Sequence, residues 1–182
     1  WIPLHRGGEY YIQPAIPGPS PRGGLTLGRT YENQSPVTVL LSDSVNKGDP
    51  VKFKPTGPNP DIIFVGATRL DIEFPMMGVN PKWSLFENRK MQKTYVGIGG
   101  PEDHPGQPML SGIFRIQKYG FLYNSYKLVF CPDYSSTCSD IRTYDNNNEG
   151  GKRLVLTQDS PLMIVFENAY KPDATINSIE SM

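Results

Sequence analysis

The residues best suited to chemistry are two cysteines and two histidines, and their spacing permits few reactions. Cys131 and Cys138 have six residues between them, whereas the histidines, His5 and His104, lie far from both in the sequence. A metal site built on these cysteines would need further ligands nearby. We therefore expect a local disulfide between Cys131 and Cys138, with two free thiols as the alternative. We expect no metal and no cofactor.

A disulfide at this position has consequences for compartment and stability. Disulfides persist in oxidising compartments, so the pattern favours a protein that functions outside the cytosol. Closing so short a loop contributes about 2.5 kcal/mol on the chain-entropy estimate. Such a bridge would pin one hairpin and would not hold the whole fold.

Other candidates for catalysis are weak. Asp103 and His104 are adjacent and could form a general base with its orienting carboxylate, but no Ser or Cys stands in the context of a nucleophile elbow. The segment between Gly100 and Gly106 is rich in turn-forming residues, and we expect an exposed turn there. The sequence therefore does not predict an enzyme.

The composition favours an all-β protein with many turns. The 182 residues include 18 Gly and 18 Pro, which break or weaken long helices. Basic and acidic residues balance at 18 each, so no attraction to nucleic acid or to an anionic membrane is expected. We expect one domain over residues 1–170 and a flexible polar tail over residues 171–182.

Short apolar or alternating runs recur along the chain, separated by Gly, Pro and Asn. Several show the two-residue period of a half-buried strand, for example Phe114-Arg115-Ile116. Close spacing of such runs indicates a barrel or a sandwich, and twelve of them suit a β-trefoil of three four-stranded units. The twelve runs are 10–16, 24–27, 37–41, 51–54, 62–65, 70–74, 83–86, 95–98, 113–116, 126–131, 153–157 and 162–166.

Several longer strings resemble the plant Kunitz family of protease inhibitors, the soybean trypsin inhibitor type. They are GGEYYIQPA at residues 7–15, YKLVFCP at 126–132, CSDI at 138–141 and KRLVL at 152–156. The resemblance covers nearly the whole chain and implies a twelve-stranded β-trefoil. It also implies a secreted or vacuolar protein of seed or bark, and we expect Trp1 to begin a processed, mature chain.

The family's protease-binding loop corresponds to residues 55–64 of this chain. The resemblance implies that Pro58, Asn59, Pro60, Asp61, Ile62 and Ile63 would meet the protease. It places Asp61 on the acyl side of the scissile bond and Ile62 on the leaving side, and a shift of one residue would present Ile62. There is no Lys or Arg between Lys54 and Arg69, so we expect no inhibition of trypsin, whose pocket contains a buried Asp.

Two further positions depart from the family pattern. Arg6 stands where the family has an Asn whose amide supports the loop, and a guanidinium can only donate hydrogen bonds. Ser35 replaces one cysteine of the family's first disulfide, and the partner position falls near Met77. The chain is thus identified as a single-disulfide variant.

These features leave two functional hypotheses. The first is an inhibitor of altered specificity, acting as a monomer on a serine or cysteine endopeptidase. The second is a storage or defence protein that keeps the trefoil but has lost inhibition, because Arg6 replaces the supporting Asn and the loop lacks a basic residue. Asn33 begins the sequon Asn33-Gln34-Ser35 and is a candidate N-glycosylation site.

Overall fold

The computed structural model describes residues 4–15, 23–58, 61–122 and 124–169. Within these ranges there are fourteen strands and one 3-10 turn, Pro101–Asp103, and no helix long and apolar enough to cross a membrane. The strands are β1 (Glu9–Pro14), β2 (Gly24–Gly28), β3 (Thr38–Ser42), β4 (Lys47–Gly48), β5 (Val51–Pro55), β6 (Leu70–Glu73), β7 (Ser84–Asn88), β8 (Lys93–Gly97), β9 (Met109–Leu110), β10 (Gly112–Lys118), β11 (Tyr126–Pro132), β12 (Ser139–Tyr144), β13 (Lys152–Thr157) and β14 (Ile164–Asn168).

Six strands close into a barrel. Around the ring, β1 pairs with β5, β5 with β6, β6 with β10, β10 with β11, β11 with β14, and β14 with β1, all antiparallel. Because the ring is closed, none of these strands presents an unpaired edge along its whole length.

Three hairpins cover one end of the barrel. They are β2–β3, β7–β8 and β12–β13, and β3, β8 and β13 pair with one another at the centre. Each hairpin lies between two barrel strands in the sequence, which gives three units of four strands. This arrangement of twelve strands confirms the predicted β-trefoil. The other two strands, β4 and β9, have two residues each and are additions to it.

Alternation along the barrel strands fills the interior. In β5, Val51 and Phe53 are buried while Lys52 and Lys54 point outward, as the two-residue period of a strand requires. The same alternation recurs around the ring. The buried core includes Tyr10, Ile12, Val51, Phe53, Leu70, Ile72, Phe74, Trp83, Phe114, Ile116, Leu128, Phe130 and Ile164.

The structure departs from the predicted strands in two places. The run 62–65 is not a strand, and only Ile62 forms an isolated bridge. Strand β12 was not predicted, because its sequence SDIRTY contains a single buried residue, Ile141. The apolar run 62–65 therefore belongs to a loop, whereas the largely polar segment 139–144 forms a strand of the cap.

The predicted disulfide is present and pins one connection. The sulfur atoms of Cys131 and Cys138 are bonded, and no free cysteine is left in the chain. Cys131 lies near the end of β11 and Cys138 directly precedes β12, so the bridge closes the turn between two paired strands. The predicted tail, 171–182, lies outside the described residues.

A buried polar cluster lies where an exposed turn was predicted. The backbone does turn at Pro101–Asp103, but His104 is buried, and its ring stacks on Phe86 with 3.5 Å between centroids. Its Nε2 lies 2.7 Å from the carbonyl oxygen of Ile98, and its Nδ1 lies 2.7 Å from the hydroxyl of Tyr95. Since a carbonyl oxygen only accepts, Nε2 carries the proton. Burial lowers the pKa of His104, because it penalises the charged ring.

Stability is expected to fall as the pH drops below about 6.5, the ordinary pKa of histidine. There the unfolded chain binds a proton that the folded chain refuses at His104, so protonation favours unfolding. Urea titrations at pH ~7.5 and ~5 give the unfolding free energy at each pH. The decrease between the two pH values should be smaller for His104→Gln than for the wild type. His5→Gln, which removes the other histidine at an exposed position, is the matched control. An undiminished change in His104→Gln would contradict the assignment.

Candidate functional site

The candidate site is the connection between β5 and β6. Pro55 pairs with Leu70 at the base of this connection, and the amide of Thr56 donates to the carbonyl of Arg69 at 3.0 Å. The loop therefore leaves the barrel and returns to it at one closed point. Of the predicted contact residues, Asn59 and Pro60 lie outside the described residues.

The N-terminal segment backs the descending limb of the loop. The amide of Arg6 donates to the carbonyl of Asp61 at 2.6 Å, and the amide of Ile63 donates to the carbonyl of Leu4 at 2.9 Å. Between these two bonds, His5 and Ile62 form an antiparallel bridge. Leu4 and Ile63 are both buried in the main core, so packing and hydrogen bonds hold this limb together.

Arg6 reaches both limbs of the loop. Its Nη2 donates to the carbonyl of Gly57 on the ascending limb at 3.0 Å, and its Nε lies 3.9 Å from Oδ1 of Asp61 on the descending limb. A guanidinium donates only, as the sequence indicates, yet two of its nitrogens serve two sides of the loop. Arg6 therefore supports the loop, and its replacement of the family's Asn does not leave the loop without a tie.

The loop presents one acid and several apolar side chains. The Asp61 side chain is 87% exposed and Ile62 is 46% exposed, whereas Ile63 is only 5% exposed. Phe64 and Val65 follow, and both are exposed. The Ile63 side chain anchors the loop in the core, and contact of this residue with a protease stays a prediction.

A tight turn after the exposed residues fixes the remainder of the loop. The amide of Phe64 donates to Oγ1 of Thr68 at 2.8 Å, and the amide of Thr68 donates back to the carbonyl of Phe64 at 3.0 Å. The amide of Gly66 donates to the carbonyl of Ile116 in β10 at 2.6 Å. The loop is thus tied to the barrel at a second point.

Asn33, the candidate glycosylation site, lies in the buried cluster around His104. It is 1% exposed, and its side-chain amide lies 3.1 Å from the Tyr95 hydroxyl and 3.2 Å from Nδ1 of His104. A glycan attached to an amide this deeply buried would displace its neighbours, so the folded structure opposes modification there. Residue 33 is far from residues 95 and 104 in the sequence, and no local pattern indicated that they meet.

The positions of the family's missing first disulfide are Ser35 and the neighbourhood of Met77. Ser35 is exposed, and Met77 packs at the edge of the core. Within the described part of the chain, no three His, Cys, Asp or Glu side chains are grouped so that they could hold a metal ion.

The chain matches known proteins over nearly its whole length. Residues 2–168 match the legume Kunitz family model, described as trypsin and protease inhibitor. The chain is 49% identical over 178 residues to the subtilisin inhibitor CLSI-II of Canavalia lineata, covering 97% of this chain and 93% of that protein. The structure of MP-4 from Mucuna pruriens matches with a TM-score of 0.84 at 56% identity, over 92% of this chain and 94% of that one. Soybean trypsin inhibitor, in complex with porcine pancreatic trypsin, matches with a TM-score of 0.75 at 28% identity, over 92% and 94%.

Proposed function

The chain belongs to the legume Kunitz family of trypsin and protease inhibitors, and from this premise we propose that it inhibits a serine endopeptidase of non-trypsin specificity through the loop 55–64. The enzyme would accept an apolar side chain in its specificity pocket. The inhibitor would dock as a substrate does and would be released slowly, without itself being an enzyme.

The observation that carries this proposal is the support of the loop at both limbs. Arg6 bonds to Gly57 on one limb, and residues 4–6 pair with residues 61–63 on the other. Limbs that are held in place before docking lose little conformational entropy on docking, so more of the contact energy appears as affinity. The exposed Asp61 and Ile62 belong to the limb that residues 4–6 support.

The charge of the loop argues against trypsin. Trypsin selects Arg or Lys through an Asp at the bottom of its pocket. No Lys or Arg occurs between Lys54 and Arg69, and Asp61 would bring a second carboxylate toward that Asp. Two like charges buried without a partner are strongly unfavourable. A pocket lined by apolar groups avoids this cost and suits Ile62.

The storage hypothesis loses one of its two grounds. It assumed that Arg6 leaves the loop unsupported, whereas Arg6 bonds to one limb and lies beside a carboxylate of the other. The remaining ground, the lack of a basic residue, is also met by an inhibitor of another specificity. The 49% identical relative from Canavalia lineata is named for inhibition of subtilisin, which is consistent with this view.

The disulfide supports an oxidising compartment, and we extend the proposal to a secreted or vacuolar monomer. A serine endopeptidase is favoured over a cysteine endopeptidase because the 49% identical relative from Canavalia lineata is named for inhibition of subtilisin, a serine endopeptidase.

Titration of five proteases tests the function. Increasing amounts of the protein are added to fixed trypsin, chymotrypsin, elastase, subtilisin and papain, and residual activity is measured. We expect stoichiometric loss of elastase or subtilisin activity and none for trypsin. Absence of inhibition of all five at micromolar concentration would overturn the proposal and favour the storage or defence alternative.

Two variants make the titration specific for the loop. Ile62→Glu places a charge on the exposed loop and should abolish inhibition. Tyr134→Glu makes the same change at an exposed residue of the turn between β11 and β12, and should inhibit like the wild type. Inhibition by Ile62→Glu as strong as that by the wild type would show that the loop is not the contact surface.

A further inference from the structure

The hydrogen bonds around Ile62 determine which way its peptide groups face. The bonds Arg6 N to Asp61 O and Ile63 N to Leu4 O flank the bridge between His5 and Ile62. In antiparallel pairing, this pattern defines a non-hydrogen-bonded pair, whose members direct their own N–H and C=O away from the partner strand. The N–H and C=O of Ile62 therefore point away from the N-terminal segment. Among the described residues neither group has a hydrogen-bond partner.

The opposite holds for Asp61. Its carbonyl oxygen accepts from the amide of Arg6 at 2.6 Å and so points toward the N-terminal segment. A serine protease needs the carbonyl oxygen of the acyl residue in its oxyanion hole, where backbone amides of the enzyme stabilise the negative charge. Asp61 could supply that oxygen only by breaking the bond to Arg6. Ile62 can supply it as it stands.

We propose that Ile62, and not Asp61, is the residue that enters the specificity pocket, so that Ile62–Ile63 is the scissile bond. This proposal rests on the proposed function and names the class of enzyme that fits it. The side chain is aliphatic, β-branched and 46% exposed, which suits a shallow apolar pocket of the elastase kind better than a deep or acidic one. The outward N–H and C=O would pair with the enzyme as an added strand does.

The chemistry of cleavage at this bond explains slow release. The enzyme's serine oxygen attacks the carbonyl carbon of Ile62, the bond to the nitrogen of Ile63 breaks, and the serine proton passes through the enzyme's histidine to that nitrogen. The new amine stays in place, because the Ile63 side chain is buried and its nitrogen is hydrogen-bonded to the carbonyl of Leu4. The amine is therefore held in position to attack the acyl ester, re-form the peptide bond and return the proton to the serine.

Placing an arginine at each position distinguishes the two registers. Ile62→Arg and Asp61→Arg are made in the full chain, and each is titrated against trypsin. We expect Ile62→Arg to inhibit trypsin at least about a hundredfold more tightly than Asp61→Arg, because only the former pairs with the pocket's Asp. A new guanidinium at position 61 would repel that of Arg6, so Asp61→Arg is also made together with Arg6→Gln. Circular dichroism confirms that each variant is folded.

The site of cleavage gives a second readout. The wild-type inhibitor is incubated with the elastase or subtilisin that it inhibits, and the new amino terminus is sequenced. Cleavage at the proposed bond gives a fragment that begins at Ile63, whereas the family register gives one that begins at Ile62. Trypsin inhibition by Asp61→Arg alone, or by both variants equally, would overturn the assignment of Ile62 and leave the inhibitor function standing. If neither variant nor the wild type inhibits any protease, the proposed function fails and this assignment fails with it.

Discussion

Replacing Arg153 by alanine is expected to lower the free energy of unfolding by about 3–5 kcal/mol. Arg153, in β13, is 0% exposed and holds Glu149, which is 1% exposed, through two bonds: Nε to Oε1 at 2.8 Å and Nη2 to Oε2 at 2.6 Å. Nη2 also lies 2.6 Å from Glu32. The variant would leave the Glu149 carboxylate buried without its partner, and it would remove a cation that lies 4.8 Å from the centre of the Tyr95 ring.

An exposed ion pair provides the matched control. Arg142 and Asp159 lie 3.7 Å apart, and the Asp159 side chain is 80% exposed. Arg142→Ala should cost less than about 1 kcal/mol, because water already solvates both charges. The pair Arg153→Met with Glu149→Gln, which removes both buried charges, should cost less than Arg153→Ala alone. Guanidinium chloride titrations measure all four proteins. If Arg153→Ala and Arg142→Ala cost the same, the buried pair does not have the effect inferred for it.

The architecture was predictable because the barrel strands carry their pattern locally. In Phe114-Arg115-Ile116 and in β5, apolar side chains alternate with outward polar ones, and the period alone indicates a strand. Strand β12 lacked that signal, because only Ile141 in it is buried. Its place is fixed instead by pairing with β13 and by the disulfide at its start.

The loop shows why apolarity alone does not locate a strand. Residues 62–65 read as a short apolar run, yet Ile62, Phe64 and Val65 are exposed and only Ile63 is buried. Exposed apolar groups on a supported loop are suited to contact with a partner, which is a different use of the same residue types.

The support of the loop was beyond the reach of local patterns. Arg6 is 51 residues from Gly57, and no spacing rule connects them. The same holds for Asn33 and His104, which meet across 71 residues. Such contacts follow from closure of the barrel and its cap. The position of the loop was therefore predictable from the family resemblance, whereas the contacts that hold the loop in place were not.

Ile63→Ala is expected to convert a slow inhibitor into a substrate. Ile63 is 5% exposed within the main core, and removing three of its carbons leaves a cavity that costs about 2–5 kcal/mol. The hydrogen bond from its backbone amide to the carbonyl of Leu4 depends on this anchoring, because the side chain holds the limb against residues 4–6. Once the anchor is lost, the loop becomes mobile before docking, and the new amino group can move away after cleavage. We expect the inhibition constant to rise at least about tenfold and the loop to be cleaved completely.

Val65→Ala is the matched control, since it shortens an aliphatic side chain of the same loop that is 40% exposed. Its unfolding free energy and inhibition constant should stay close to those of the wild type. Urea titrations, inhibition assays with the enzyme found in the protease titration, and mass spectrometry of the incubated inhibitor give the three measurements. Because Ile63 lies on the leaving side of either scissile bond, the expected result does not depend on whether Asp61 or Ile62 enters the pocket. An Ile63→Ala variant that resists cleavage as the wild type does would show that burial of this side chain does not restrain the loop, and that the pairing of residues 4–6 with the descending limb is sufficient by itself.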